Sequence, residues 1–364
     1  MALIHEVLDL ARWAPSGDNT QPWRFEIRSD TSVLIHGYDT RTHCVYDLDG
    51  HASELAHGAL LESVALAATR FGFRAVDSIL DEGVSGHRIY GVELQPAESS
   101  AREDPLVPFI RERTVERRAM RTSPLADVEC EALARSVDRF ETVWMSPLAM
   151  RWRIATLNAQ NAHIRLTIPE AFAVHKAVIA WNATVSEDRL PDAALGAGPI
   201  LLRAMHFAMA SFERAQFLNR FAGGTLLPRI ALDLLPGIRC ATHFALIARD
   251  GPASLEDRVR AGRAVQRFWL TATTLGLRMQ PSYTPLVFAR YARAGVPFTR
   301  IARARTTALK IAQLLDDALG EERARKCVFL GRLGHPHGTT AARSIRLPLE
   351  RLIVTNAPRA LSSQ

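Results

Sequence analysis

The sequence has few lysines, few cysteines and no long apolar runs. Of its 45 Lys and Arg residues only three are lysines, and it has four cysteines. These cysteines are far apart and form no C-x-x-C pair, which excludes a zinc ribbon or a disulfide framework and predicts free thiols. No apolar run approaches the length of a membrane span, and the first residues lack the charged head and apolar body of a secretory signal. We therefore expect a cytoplasmic protein with no membrane partner.

A metal centre is not expected either. The histidine pair His335 and His337 has no acidic or thiol ligand close to it in the sequence. A lone H-x-H of this kind is more often a polar strand end than a metal site.

The positive charge does not indicate a nucleic-acid partner. The net charge is +7 and the pI about 9.7. However, the arginines are scattered through predicted helices with acidic neighbours, and no basic ribbon interleaved with aromatic residues is present. We interpret the charge as a property of the general surface.

Length and composition predict a well-packed enzyme-sized chain. The 364 residues suggest one large or two ordinary domains, and 48% of them are hydrophobic, which is ample for a sizeable core.

The most informative segment is the twelve-residue run A-P-S-G-D-N-T-Q-P-W-R-F, residues 14–25. Apolar residues at helical spacing precede it, and Pro15 disfavours helix at the residue before it, so a helix is expected to end here. Ser16 and Asn19 then lie in a turn, and Trp23 begins a strand. An amide offers both a donor and an acceptor, which suits the edge of a heterocycle; a capped helix followed by a strand is the purely structural alternative.

This segment resembles the A-P-S-x-x-N-x-Q-P-W-x-F motif of the nitroreductase superfamily, whose members hold FMN between two copies of an α+β fold. The resemblance implies that Ser16, Asn19 and Gln21 contact the flavin ring and its ribityl chain. Asp18 and Arg24 fall at variable positions of the motif and inherit no role.

An internal similarity suggests that the two copies lie in one chain. Residues 58–73 align without gaps to residues 262–277, with identities at Gly58/Gly262, Leu66/Leu270, Ala68/Ala272, Thr69/Thr273 and Gly72/Gly276. Both segments are apolar helices that stop at glycine. We therefore predict a nitroreductase-like α+β fold duplicated in one chain as a pseudo-dimer, with mostly antiparallel sheets flanked by helices. Residues 1–100 form a shortened first half and 101–364 the second, and a polar linker lies near 95–104.

Residues 110–125, which follow this linker, are rich in arginine. A helix is predicted from Asp127 onward. Arginine grips phosphate oxygens two at a time, so the stretch is a plausible phosphate cradle, although a solvated charge run is the alternative. It also resembles the R-R-S-x-R opening of nitroreductases, in two possible registers. The residues that this resemblance suggests for the FMN phosphate are Arg113, Arg117, Arg118 and Arg121.

Two later segments complete the resemblance. Residues 276–284 resemble the family's G-L-x-x-x-P loop, whose backbone N–H groups approach flavin N5 and O4. Residues 326–334 read as a buried strand, and 342–349 resemble the family's K-S-R-x-P-L element, which brings further basic groups to the phosphate. The cofactor candidates in these segments are Pro281, Ser282, Tyr283, Thr284, Arg343 and Arg346.

Residues 185–237 are expected to form helices joined by flexible turns. The resemblance implies a lid or a specificity wall over the flavin, whereas an additional pair of packing helices is the structural alternative. No residue of this region is given a catalytic role, and the catalytic residues stay unassigned.

The resemblance implies an FMN-dependent oxidoreductase that passes electrons from NAD(P)H through flavin N5 to a small aromatic, quinone or nitro acceptor. No G-x-G-x-x-G follows a strand, which agrees with a nicotinamide that stacks on the flavin itself. The chain is similar to long single-chain members, including the flavin-sequestering mycobacterial branch and nitroreductase-like parts of molybdopterin-biosynthesis proteins. The alternative is therefore a flavin-storage protein with a closed lid; oxidative flavin destruction is a third possibility. One flavin per chain is favoured, in a monomer or a homodimer.

Overall fold

The structure is a computed structural model that describes residues 2–81, 86–137 and 139–355. Long helices alternate with short antiparallel strands over this part of the chain. The α-helices are α1 (Leu3–Ala11), α2 (His51–Thr69), α3 (Asp127–Arg135), α4 (Leu148–Thr167), α5 (Pro169–Val178), α6 (Pro199–Ala208), α7 (Phe212–Phe221), α8 (Leu226–Pro228), α9 (Leu235–Ile238), α10 (Leu255–Thr274), α11 (Thr284–Ala294), α12 (Ala302–Leu319) and α13 (Glu321–Lys326). The strands are β1 (Trp23–Ser29), β2 (Ser32–Tyr38), β3 (Phe73–Asp81), β4 (His87–Pro96), β5 (Phe140–Met145), β6 (Ile179–Ala180), β7 (Val185–Ser186), β8 (Leu190–Pro191), β9 (Thr242–Ala248), β10 (Arg278–Pro281), β11 (Cys327–Gly334) and β12 (Arg343–Ser344).

Two four-stranded antiparallel sheets have the same strand order. The first sheet runs β1-β2-β4-β3, and the second, read in the same sense, runs β5-β9-β11-β10. In each sheet a long helix follows the second strand: α2 follows β2, and α10 follows β9. The α+β class and the mostly antiparallel sheets predicted from the sequence are confirmed.

The second sheet has additional elements in two of its connections. Helices α4 to α9 and strands β6 to β8 lie between β5 and β9, and helices α11, α12 and α13 lie between β10 and β11, whereas β4 is the next described element after β3. The short strand pairs β6–β8 and β7–β12 are parallel and lie outside both sheets.

Helices α2 and α10 cross in direct backbone contact at a pair of glycines. A Cβ built on Gly58 would lie 2.0 Å from the carbonyl oxygen of Val259, and a Cβ built on Gly262 would lie 2.0 Å from that of Leu55. Each glycine thus faces a carbonyl one helical turn before the other glycine: Gly58 faces Val259, three residues before Gly262, and Gly262 faces Leu55, three residues before Gly58. The contact is reciprocal, as in a two-fold symmetric interface.

Polar pairs fix the same two helices along their length. Glu62 of α2 accepts from Arg263 (3.2 Å) and Arg267 (2.8 Å) of α10, and Gln266 Nε2 donates to Ser63 Oγ over 2.9 Å. Because these groups are buried or half-buried, their pairing limits sliding of one helix on the other.

Both helices end in the same way. The N–H of Gly72 donates to the carbonyl of Thr69, and that of Gly276 donates to the carbonyl of Thr273. The two glycines have φ of 74° and 71°, which is the left-handed conformation that glycine adopts without strain. The glycine stop signals read from the sequence are confirmed at both positions.

The end of the described chain returns to the first sheet. The N–H of Phe25 donates to the carbonyl of Leu352 (2.8 Å), and that of Val354 donates to the carbonyl of Phe25 (2.9 Å), which places a parallel segment beside β1. The fully buried Trp23 and Phe25 lie in a core between α1, α2 and this sheet.

Most element predictions agree with the structure, with shifted ends. The helix predicted from Gly58 begins seven residues earlier, at His51, and the strand around residues 88–94 is β4. Helix α3 begins at Asp127 as expected. Part of the predicted loop 276–284 is instead a strand, β10, because its backbone pairs with β11.

Three further observations concern membrane spans, disulfides and metal ions. No helix in residues 2–81, 86–137 or 139–355 is both long and apolar enough to cross a bilayer. The four cysteines are unpaired. Within the same ranges, no group of three or more His, Cys, Asp or Glu side chains is arranged to hold a metal ion.

Candidate functional site

A cavity of about 450 Å³ lies beside the α2–α10 crossing, where side chains of both sheets' helices meet. Leu55 and Ala59 of α2 line it from one side, and Val265 and Trp269 of α10 line it from the other. Its volume is within the range of sites that hold cofactors and drug-sized ligands.

Ten of the thirteen cofactor residues predicted from the sequence line this cavity. They come from four segments that are far apart in the chain. The ten are Ser16, Asn19, Arg113, Arg117, Pro281, Ser282, Tyr283, Thr284, Arg343 and Arg346. The other three, Gln21, Arg118 and Arg121, are not part of the wall.

The turn after α1 is backbone-strained where it faces the cavity. Asp18, Asn19 and Gln21 have φ of 49°, 63° and 47°. Asp and Asn tolerate this left-handed conformation better than most residues, but three such residues within four positions are costly without glycine. Ser16 Oγ stabilises the turn by accepting from the N–H of Gln21 at 3.0 Å.

Asn19, which lines the cavity, has a buried acceptor that the described residues leave unused. Its Nδ2 donates to the carbonyls of Glu187 and Ile345, both at 3.0 Å. Its buried Oδ1 has no hydrogen-bond partner among the described residues. A buried acceptor without a donor is costly, so a donor at this atom would stabilise the turn.

Gln21 uses its amide within the protein. Its Nε2 donates to the carbonyls of Asn19 (3.0 Å) and Glu187 (2.8 Å), and its Oε1 accepts from the N–H of Leu347 (2.9 Å). The residue is fully buried and ties the turn to two distant segments. The structure thus gives Gln21 a positioning role, and its contact with a cofactor stays a prediction.

Three arginines gather at one part of the wall, and no carboxylate of the described residues pairs with them. Arg113 and Arg346 are buried, and Arg343 is half-buried. Burial, and then Arg346 and Arg343, hold the pKa of Arg113 well below its usual value, while burial, Arg343 and Arg12 lower the pKa of Arg346 to about 9. Like charges gathered at such a place repel one another, so an anion would stabilise them, and planar guanidinium groups suit phosphate oxygens.

Main-chain carbonyls orient these guanidinium groups. Arg113 donates to the carbonyl of Trp13 (3.0 Å), Arg346 Nε to that of Ala14 (3.0 Å) and Arg343 to that of Arg111 (2.6 Å). The Nε atoms of Arg113 and Arg343 are buried with no acceptor in the described chain. The cluster is therefore fixed in direction and retains unused donors.

Two tryptophans flank the cluster. The guanidinium carbon of Arg113 lies 4.4 Å from the ring centroid of Trp269, and that of Arg343 lies 5.5 Å from the ring of Trp13. Contact with an aromatic face partly offsets the cost of burying a cation.

Arg117 and Arg332 place further positive charge on the wall. Arg117 Nη1 donates to the carbonyl of Ala194 (3.2 Å). Arg332 Nη2 donates to the carbonyls of Arg117 (2.7 Å) and Arg118 (3.0 Å), and its Nη1 is buried with no partner in the described ranges. Burial lowers the pKa of Arg332 to about 10. Sequence reasoning missed Arg332, since nothing in the strand around it distinguishes its side chain.

The start of helix α11 offers backbone donors. Ser282 N–H is occupied, because it donates to the carbonyl of Leu330 (2.7 Å). The N–H groups of Tyr283 and Thr284 have no acceptor within the described residues. Both line the cavity at the positive end of an eleven-residue helix, where backbone N–H groups favour electronegative ligand atoms.

A second polar region of the cavity was not predicted from the sequence. Asp18 lies near Arg117 and Arg165, and no hydrogen bond to its carboxylate is formed by the described residues. Arg165 pairs with Asp233 at 2.7 Å.

A buried tyrosine–histidine pair lies in the same wall. Tyr46 Oη lies 2.9 Å from His175 Nε2. Burial, and to a smaller extent the charge of Arg165, lowers the pKa of His175 to about 3, so this imidazole is neutral.

Asp18→Asn is expected to stabilise the protein without ligand at neutral pH by about 1 kcal/mol. Burial raises the pKa of Asp18 despite the opposing pull of Arg117 and Arg165, so the fold disfavours the charged form. The cost of that charge is absent below the ordinary aspartate pKa of about 4 and develops as the pH rises. The gain should therefore be measured by urea unfolding at pH 7.5 and should vanish near pH 3.5.

Asp30→Asn is the matched control, because this aspartate is exposed. It should change the unfolding free energy little at either pH. A lower stability of the Asp18→Asn variant at pH 7.5 would mean that attraction to the two arginines outweighs burial.

Arg118 and Arg121 point away from this wall. Arg118 pairs with Glu116 at 2.6 Å, and Arg121 is exposed. Their assignment to the phosphate stays a prediction, and so does the register in which the arginine-rich stretch matches the family's opening.

Comparisons with known proteins give a partial structural likeness only. The chain is similar to a nitroreductase with bound FMN from Desulfitobacterium hafniense DCB-2, at a TM-score of 0.36 and 14% identity over 67% of this chain and 94% of that one. It is also similar to the FMN-dependent nitroreductase NfnB from Mycobacterium smegmatis in complex with NADPH, at a TM-score of 0.34 and 16% identity over 69% of this chain and 96% of that one. No family model and no curated protein matches the chain.

Proposed function

We propose that this protein binds FMN in the cavity beside the α2–α10 crossing and works as an NAD(P)H-dependent flavin oxidoreductase. The observation that carries the proposal is the cluster of Arg113, Arg343 and Arg346, which has no carboxylate partner among the described residues and which an anion would stabilise. A phosphate on a ligand of the cavity's size supplies that anion.

The remaining donors and acceptors also suit FMN. The free N–H groups of Tyr283 and Thr284 are donors for a carbonyl or ring nitrogen of the isoalloxazine. The unpartnered Oδ1 of Asn19 accepts from a hydroxyl or N–H group. The apolar side chains of Leu55, Ala59 and Val265 offer surface to a flat ring.

FMN bound there supplies hydride exchange at N5. The protein's own residues orient the ligand, exclude water and set the local charge. Arg117 and Arg332 add positive charge, which favours an anionic reduced flavin over the neutral form. No side chain is assigned as a general acid, and the acceptor class of aromatic, quinone or nitro compounds remains part of the proposal.

We further propose that the two sheets are copies of one fold within one chain, divided near residues 100 and 101. The shared strand order, the reciprocal Gly58–Gly262 contact and the matching helix ends support this. A symmetric pair would have two equivalent flavin sites, but within the described ranges the arginine cluster lies at one place, which favours one FMN.

The storage alternative has its own support. Helix α6 contributes Met205 and Met209 to the cavity wall, so the 185–237 region covers part of the site. A cover that stays closed would exclude the nicotinamide and the acceptor while it retains FMN.

Binding and reduction are tested separately. The purified chain should bind FMN with one equivalent per chain and bind riboflavin much more weakly, as followed by quenching of flavin fluorescence. NADPH or NADH added without oxygen should then bleach the bound flavin. Binding without bleaching by either nicotinamide would favour storage, and failure to bind FMN at all would refute the proposal.

A further inference from the structure

We propose that the hairpin of helices α6 and α7 docks on the surface of an anionic phospholipid bilayer. The proposal is independent of flavin chemistry, because it rests on the outer face of the hairpin and not on the cavity. It concerns surface attachment, which the absence of a spanning helix among the described residues leaves open.

Large apolar side chains are exposed on this hairpin and on the short helix α8 that follows it. Ile200 is 83% exposed, Phe221 68% and Phe217 61%, and Phe207, Leu226 and Leu227 are also more than half exposed. Single exposed apolar residues are common, but six within 28 consecutive residues form an unusual group on a protein surface.

Helical spacing places these residues on one side of each helix. On α6 the exposed residues Ile200, Arg203 and Phe207 recur at intervals of three and four, and Met205 and Met209 face the cavity instead. On α7, Phe217 and Phe221 are one turn apart, with ring centroids separated by 4.9 Å. The hairpin thus has an inner face toward the site and an outer face toward solvent.

Arginines are interleaved with the aromatic rings on that outer face. Arg214 lies 4.4 Å from the ring centroid of Phe207, and Arg220 lies 5.4 Å from that of Phe221. Between residues 199 and 227 there are three arginines and a single acid, Glu213. Helices that lie in the membrane interface combine these features: Phe and Leu enter the headgroup boundary, and arginines contact anionic lipids.

The charge favours a lipid surface over a second copy of the chain. A two-fold pairing of this face with itself would set the three arginines of one copy against a face that carries three more arginines, and like charges across an interface oppose association. An anionic bilayer satisfies the arginines and the apolar side chains together.

The test is sedimentation of the full chain with vesicles. Protein should sediment with vesicles of phosphatidylglycerol and phosphatidylcholine, much less with vesicles of phosphatidylcholine alone, and less as salt concentration rises. The double variant Phe217→Ser and Phe221→Ser should lose at least about ten-fold in partitioning. Arg214→Gln with Arg220→Gln should weaken binding to the anionic vesicles selectively.

Leu309→Ser is the matched control, because Leu309 is a similarly exposed apolar residue on α12. It should sediment as the parent does, and circular dichroism should give all variants the parent's helix content. Lack of binding to anionic vesicles, or binding unaffected by loss of both phenylalanines, would overturn the proposal. So would a dimer in light scattering that dissociates on the phenylalanine substitutions, or competition by single-stranded DNA that depends on them.

Discussion

Replacing Gly58 by alanine is expected to lower the free energy of unfolding by about 3 kcal/mol. The added Cβ would lie 2.0 Å from the carbonyl oxygen of Val259, which belongs to the backbone of α10 and cannot move aside alone. Helix α10 must therefore shift as a whole, which also disturbs the Glu62 and Gln266 pairs. Alanine in a helix interior would otherwise stabilise by about 1 kcal/mol, so the sign of the effect is a clear test.

A double-mutant cycle makes this prediction sharper. Gly262→Ala should cost a similar amount, because its Cβ would meet the carbonyl of Leu55 at the same distance. The two losses should not add, since one separation of the helices relieves both clashes. Urea unfolding gives the three values, and Gly338→Ala, which has no atom within 4 Å of the new Cβ, is the control. Additive losses would indicate that the two glycines do not share one contact.

Arg346→Met is expected to weaken FMN binding about 50-fold. A charge-assisted hydrogen bond to a buried anion contributes about 1.5–3 kcal/mol, and Arg346 is held in place by the carbonyl of Ala14. Riboflavin lacks the phosphate, so its affinity should change little. Fluorescence titration with both flavins measures the difference.

Arg300→Met provides the control for loss of positive charge, since Arg300 is exposed and lies far along the chain from the cluster. It should bind FMN as the parent does. If Arg346→Met lowered the affinities for riboflavin and FMN equally, the residue would act on the fold of the site and not on the phosphate.

The sequence predicted the segments that build the cavity because their signals are local. Pro15 and the apolar spacing before it located the end of α1, and the glycines at 72 and 276 located the ends of two helices. The motif residues Ser16 and Asn19 come from the same short segment. Patterns of this kind depend on residues that are close together in the sequence, so they predict local structure without knowledge of the fold.

Contacts between distant segments could not be read in this way. Gln21 belongs to the motif, yet its amide joins residues 19, 187 and 347, and no pattern around it indicates those partners. Asp18 falls at a variable motif position, but the left-handed turn directs it into the cavity wall. Arg332 lies on a buried strand whose apolar neighbours gave no sign of a site.

The internal similarity of residues 58–73 and 262–277 was informative for a reason that the sequence alone did not reveal. Gly58 and Gly262 were matched as helix positions, and the structure brings these two residues together at the crossing. The first of the five identities therefore reflects a contact between the two segments, in addition to the end signals that both helices share.

The segment from Arg343 to Val354 has a consequence for biosynthesis. It supplies the strand beside β1, receives the bond from Gln21 and brings Arg346 to Ala14, a residue 332 positions earlier. At ribosomal rates of about 5–20 residues per second, the amino-terminal sheet waits on the order of 20–60 s for this neighbour. Until then the outer backbone of β1 is open to other extended chains, so nascent-chain chaperones have a defined strand to protect.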